Sequence, residues 1–116
     1  LAVDIDDKCL DVAYENAAMN GIGRDRYTVL AGDILTDEAL QARIGGGYDI
    51  VLANIVSDVI ITLAPAVRPL LKEGGYFLCS GIIDDRAEEV AGKLRDAGLT
   101  IEETHSADGW FSYLCK

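Results

Sequence analysis

The run Tyr48–Asn54, Tyr-Asp-Ile-Val-Leu-Ala-Asn, constrains the fold of this 116-residue chain more than any other segment. A near-continuous apolar stretch of strand length predicts a β-strand in a sheet covered on both faces, the setting of parallel strands. Shorter strand patterns surround it: Leu1–Ile5, Tyr27–Ala31, Tyr76–Ser80, Leu99–Thr104 and Trp110–Cys115. Between them lie helical patterns. Leu10, Ala13, Tyr14 and Ala17 recur at helical spacing, with Asp6 as the expected N-cap, Asp7 in the first turn and Asn20-Gly21 as the stop. Thr36 is expected to cap a short helix through Ile44, and Gly45-Gly46-Gly47 reads as a flexible joint. A helical stretch from Ser57 to Leu71 contains Pro65, which should kink or restart it. Another opens at Asp84 or Asp85 and ends at Ala97-Gly98. Strands alternating with helices predict an α/β fold with a doubly wound, mostly parallel sheet. Ser106-Ala107-Asp108-Gly109 joins the last two strands as an antiparallel hairpin. Residues 1–116 carry no linker, repeat or low-complexity segment, so one domain is expected.

Composition narrows the function classes. Half the residues are hydrophobic, enough to build a core, which excludes a disordered tail. Val59–Val67, between Asp58 and Arg68, is the longest apolar stretch and falls well short of the roughly 20 residues a bilayer requires. The opening Leu-Ala-Val-Asp-Ile-Asp-Asp has neither a basic start nor a long apolar run, so no secretory leader is expected. Cys9, Cys79 and Cys115 are odd in number and far apart, without zinc or redox spacing. They predict reduced thiols in the cytoplasm and no metal site. Twenty acids against ten bases give a net charge of −10, which repels phosphate backbones. A basic polypeptide is the partner such a surface favours; nucleic acid and membrane are not expected. Charge of this size also serves plain solubility.

Polar residues at strand ends carry the chemistry. In an open α/β sheet, ligands bind beyond the carboxyl ends of the strands. Asp4, Asp33 and Asn54 each close an expected strand, about one βα unit apart, and successive parallel strands would bring them to one rim. An acid after an early strand suits a ribose, accepting both hydroxyl protons. An acid after the next strand could accept an adenine amino group, with Ile34 packing on the ring. Each acid could equally be a helix cap or turn residue. Asn54 ends the most apolar strand, where an amide is costly to bury without a partner, and its carbonyl could orient a cofactor or an amine. Other groups are weaker candidates. His105 lies near a hairpin tip, Cys79-Ser80-Gly81 is not a nucleophile elbow, and helix capping explains Asp6 without invoking a magnesium site.

These residues resemble a known family. Ala2 through Gly21 is similar to the second strand and following helix of class I S-adenosylmethionine-dependent methyltransferases. Tyr48–Ile55, Leu63-Ala64-Pro65, Leu70–Tyr76, Ser80–Ile83, Glu88-Glu89-Val90, Gly98-Leu99 and Gly109-Trp110 extend the resemblance over essentially the whole chain. Within that superfamily the Ala53-Asn54-Ile55, Leu-Ala-Pro, Ser-Gly-Ile and Gly-Trp elements most resemble the PrmA methyltransferases of large-subunit ribosomal protein eleven. The resemblance implies S-adenosylmethionine as cofactor and amino groups of a ribosomal protein, lysine or N-terminal, as acceptors. By the same resemblance Asp4 binds the cofactor ribose, Ile5 beside it belongs to the cofactor-binding residues, Asp33 with Ile34 forms the adenine-binding turn, and Asn54 lies near the cofactor and the incoming amine. Amino-methylating relatives follow this Asn with two prolines and an aromatic residue. Here Ile55 and Val56 stand instead, which disfavours amide or adenine acceptors.

One departure is large. The family's glycine-rich loop after its first strand, and the small substrate-recruiting domain of PrmA, have no counterpart in these 116 residues. The chain is therefore expected to be the carboxy-terminal portion of the catalytic domain of a longer protein. The family's first strand is central, between its second and fourth. Without it, the chain alone is expected to be destabilised or re-paired by self-association, and not to bind cofactor. A small-molecule methyltransferase and a non-catalytic scaffold are the alternatives. A phosphotransfer receiver domain fits poorly, because Asn54 replaces its phospho-acceptor and Ser80-Gly81 stand where its lysine belongs.

Overall fold

A computed structural model describes residues 1–116. Its elements run β1 (Ala2–Asp4), α1 (Cys9–Met19), β2 (Val29–Ala31), α2 (Glu38–Ile44), β3 (Tyr48–Asn54), α3 (Ser57–Val67), a 3-10 turn (Arg68–Leu70), β4 (Leu71–Ile83), α4 (Asp84–Asp96), β5 (Ile101–Ala107) and β6 (Trp110–Cys115). The alternation expected from the sequence holds throughout. The chain divides into two compact units, Leu1–Gly45 and Gly46–Lys116, at the expected glycine joint. The strands form two sheets: β1-β2, and a four-stranded sheet ordered β3-β4-β6-β5. Both β1 and β3 therefore pair on one side only.

In the first unit β1 and β2 are parallel, with Ala2 opposite Val29 and Asp4 opposite Ala31. Helix α1 turns Leu10, Ala13, Tyr14 and Ala17 inward, although each stays half-buried. The Val29 amide donates to the Tyr14 hydroxyl at 3.0 Å, tying α1 to β2. Arg24 lies over the Tyr14 ring at 3.9 Å, a cation–π contact. Val29, Leu30, Leu40 and Ile44 are the buried apolar residues of this unit. Both expected caps move. Asp6 does not cap α1: its Oδ1 accepts from the Lys8 amide in a turn before the helix, Lys8 occupies the cap position, and Asp11 rather than Asp7 is the first-turn acid. Helix α2 is capped by Asp37, which accepts from the Leu40 amide at 3.0 Å, and not by Thr36. In both places the sequence offers adjacent polar residues, and the backbone geometry of the turn selects among them.

In the second unit β3 and β4 are parallel, β4 and β6 antiparallel, and β5 and β6 form the expected hairpin. Helices α3 and α4 cover one face, against which Phe77, Cys79, Ile82, Ile60, Val67, Val90, Leu94 and Cys115 are buried. The Tyr113 hydroxyl donates to the Ala87 carbonyl at 2.8 Å, fixing β6 beneath α4. The opposite face is bare. Ile50 is 59% and Leu52 71% exposed, with Tyr76 and Leu78 beside them. Tyr48–Asn54 is thus a strand, as its apolar run predicts, but the expectation that it is covered on both faces fails within these residues.

Three local expectations need correction. Helix α3 continues through Pro65 to Val67, then tightens into the 3-10 turn that holds Pro69. Burial of Leu63, Ala64 and Val67 around Pro65 offsets the backbone hydrogen bond the proline cannot make. Strand β4 is longer than expected, absorbing Gly74-Gly75 as an irregularity between the Tyr48 and Ile50 pairings. The hairpin turn shrinks to Asp108-Gly109, both at positive φ (52° and 81°), so β5 runs on to Ala107 opposite Trp110. Two left-handed residues match the twist of the flanking strands, and Asp-Gly suits that geometry. No helix is long and apolar enough to cross a membrane.

Candidate functional site

Parallel pairing of β1 with β2 brings Asp4 and Asp33 to the same, carboxyl-terminal, end of the first sheet. Asp4 is the last residue of β1. Its carbonyl accepts from the Gly32 amide at 2.9 Å, extending the ladder one step past β2 toward Asp33. Its Oδ1 accepts from the Asp6 amide at 2.9 Å, which turns the chain sharply and leaves the carboxylate exposed. The Cys9 thiol sits beside it. Desolvation raises that thiol above its usual range, helped by the charge of Asp4, a hydrogen bond to it, and the charge of Asp6. Ile5, next in sequence, is 73% exposed, an apolar side chain displayed at the strand end.

Asp33 and Ile34 open the tight turn from β2 into α2. Asp33 Oδ1 accepts from the Leu35 amide at 2.9 Å, and its carbonyl accepts from Asp37 at 2.9 Å. The Ile34 carbonyl accepts from the Gln41 side chain at 2.7 Å, so α2 holds the turn from behind. Both residues are half-buried. Each carboxylate spends one oxygen on its own loop; a carboxylate can accept up to about four hydrogen bonds, so both keep capacity for a ligand. Turn-forming and ligand-binding roles are compatible here, and the loop bonds fix the direction in which the carboxylates face.

Asn54 belongs to the second unit, so the structure groups two of the three strand-end residues in one sheet and sets the third in the other. It closes β3 opposite Ser80 of β4, is exposed, and its carboxamide makes no hydrogen bond within the chain. Gly81, at φ 82°, lies against it: a Cβ built on Gly81 would come within 2.7 Å of the Asn54 Oδ1. The sequence draws attention to Gly81 only within the Ser-Gly-Ile element and gives it no role of its own, although an isolated glycine at a strand is a signal for a bulge or a close approach.

The remaining chemistry-bearing groups lie apart from these. His105 is an exposed residue of β5, 3.4 Å from the Glu103 carboxylate. Cys79 and Cys115 are buried free thiols, pushed up by burial to about 11 and about 12 respectively, which makes them unreactive near neutrality. No group of His, Cys, Asp and Glu is arranged to hold a metal ion.

Known proteins resemble this chain in sequence and in fold. A ribosomal protein L11 methyltransferase from Desulforamulus reducens is 44% identical over 115 residues, covering 99% of this chain and 35% of the relative. One from Agathobacter rectalis is 39% identical over 111 residues, 95% of this chain and 34% of the relative. The chain thus spans about a third of the length of these relatives. Among solved structures, a ribosomal protein L11 methylase from Lactobacillus delbrueckii subsp. bulgaricus superposes with a TM-score of 0.85 at 26% identity, over 98% of this chain and 55% of the other. Aeropyrum pernix fibrillarin, solved with natively bound S-adenosyl-L-methionine, superposes with a TM-score of 0.76 at 17% identity, over 98% of this chain and 54% of that one; at that identity the likeness concerns the fold. The fold is thus a piece of the Rossmann-like methyltransferase fold. The family model for ribosomal protein L11 methyltransferase (PrmA) matches residues 1–116 throughout, and the chain belongs to that family.

Proposed function

We propose that these 116 residues are the carboxy-terminal part of the catalytic domain of a protein methyltransferase. Its donor is S-adenosylmethionine and its acceptors are amino groups, lysine or N-terminal, of a ribosomal protein. The observation that carries this reading is the pair Asp4 and Asp33, fixed by their own loops at the carboxyl ends of neighbouring parallel strands, in a chain of this family. The residues fit the nucleoside half of the donor. Asp4 has acceptor capacity for the ribose hydroxyls, Asp33 for the adenine amino group, and Ile5 and Ile34 offer apolar surface to the ring. Ile5 is otherwise an unexplained apolar residue in solvent. The methionine half has no cradle here, since the 116 residues contain no Gly-x-Gly-x-Gly loop.

When bound, the donor's sulfonium supplies a methyl group already activated for transfer. What the protein then contributes is alignment. The acceptor must arrive as a neutral amine, and a lysine ordinarily holds its proton up to about pH 10.4. No side chain among these residues is placed as a general base, so the reading has the proton pass to water, with backbone carbonyls accepting hydrogen bonds from the amine. The Asn54 carbonyl accepts one amine N–H and points the lone pair at the methyl carbon. The net charge of −10 favours a basic ribosomal protein as the partner, and the reading puts the enzyme in the cytoplasm.

The test is methyl transfer by the full-length protein that contains these residues. Ribosomal protein eleven should be labelled by methyl-labelled donor. Asp4→Ala should weaken donor binding, and Asn54→Ala should lower turnover. Asp4→Ala with unchanged donor affinity, or Asn54→Ala with unchanged turnover and affinity, removes the corresponding role. The 116 residues alone should show no micromolar donor binding in calorimetry.

A further inference from the structure

The ladder between β4 and β6 runs Phe77–Cys115, Leu78–Leu114, Cys79–Tyr113, then resumes at Ile82–Phe111. Between the last two pairs β4 advances one residue more than β6, so Ser80-Gly81 forms a β-bulge. On its other side the same Ser80 pairs with Asn54, the final rung of the β3–β4 ladder. The bulge therefore sits against the one residue of β3 that carries a carboxamide. Gly81 adopts φ 82°, and a Cβ built on it would lie 2.7 Å from Asn54 Oδ1 and 3.2 Å from the Ile55 carbonyl. The first distance is below any contact a methyl group tolerates. The backbone angle favours glycine, and any side chain at position 81 would have to displace the Asn54 carboxamide, the end of an exposed side chain.

We propose that Gly81 is a positioning residue that sets the direction of the Asn54 carboxamide. The bulge brings a surface without a side chain up to the amide, which rests on it and points past the end of β3. This rests on the reading of Asn54 given above and extends it to the residue behind it. Bulges beside active sites commonly re-aim a side chain in this way. A side chain at position 81 would push the carboxamide aside. A displacement of order 1 Å in an aligning group can cost about a hundredfold in rate.

A double-mutant cycle on the full-length protein tests this with Gly81→Ala, Asn54→Ala and the pair. Gly81→Ala should lower kcat by about tenfold to a hundredfold, and in the Asn54→Ala background it should lower kcat no further. Losses that multiply in the double variant overturn the proposal, because the glycine then acts independently of the amide. Alanine at φ 82° is strained, so Gly81→Ala could unfold the protein for backbone reasons alone. The same cycle is therefore read in thermal midpoints. Gly81→Ala should cost less in Tm, or regain soluble expression, once Asn54 is alanine; equal decrements in both backgrounds overturn the proposal. If Asn54→Ala leaves turnover unchanged, the catalytic reading of Asn54 fails, while the Tm cycle still decides whether Gly81 positions it.

Discussion

The two units are built to different standards. Residues 46–116 place α3 and α4 over a four-stranded sheet, and Phe77, Ile60, Ile82, Leu94, Val67 and Val90 are sealed from solvent between them. Residues 1–45 have strands of three residues and a helix, α1, with no fully buried side chain; Val29, Leu30, Leu40 and Ile44 are all its buried apolar residues. Burial of apolar area is the main stabilising term in folding, so the second unit carries most of the stability of these residues. The first carries the acids proposed to bind the nucleoside. Ligand-binding elements are commonly drawn from the less stable parts of a protein, and here the division falls at the glycine joint.

Several measurements can break or sharpen this contrast. Phe77→Ala should cost about 3–5 kcal/mol, since Phe77 is fully buried. Urea unfolding followed by Trp110 fluorescence should show the midpoint collapse. Leu40→Ala should cost less, about 2–3 kcal/mol, and only locally: hydrogen exchange should accelerate in β2 and α2 while β4 amides keep their protection. If both units lose protection together, they unfold as one and the contrast fails. Alkali should act on the second unit. Burial pushes the Cys79 and Cys115 thiols up to about 11 and about 12, above the ordinary thiol value of 9.0. Both are protonated in the folded state when the unfolded chain has already ionised. Their stabilisation is complete below about pH 9 and is lost as pH rises through 11–12, falling by about 1 kcal/mol per thiol at pH 10. A pH series of urea midpoints checks this, and thiol labelling should reach Cys9 well before either of them. Asp37→Ala, which removes the α2 cap, should cost the least, about 0.5–1 kcal/mol, read as a small loss of helix signal in circular dichroism.

The sequence made the order of elements legible because each strand and helix announces itself within its own window. Tyr48–Asn54 was found to the residue, and the inward stripe of α1 matched its helical spacing. What stayed hidden depends on partners distant in the chain. The bulge at Ser80-Gly81 exists only because β6 runs beside β4. The survival of α3 past Pro65 depends on packing around it. The caps lie one or two residues beyond Asp6 and Thr36, because neighbouring polar groups compete for the same amides. For the candidate site, strand-end position alone drew attention to Asp4, Asp33 and Asn54. Gly81, whose meaning lies in a gap of 2.7 Å to a residue in another strand, could only be read in three dimensions.

The two outer strands of the larger sheet differ in how they meet the world. Strand β5 is armed with Glu102, Glu103 and His105, a charged margin that discourages another strand from joining. Strand β3 has no such guard beyond Asp49, which is already engaged by Lys72, and it displays Ile50 and Leu52 next to its open rim. Within these residues the larger sheet is therefore guarded on one flank and unguarded on the other.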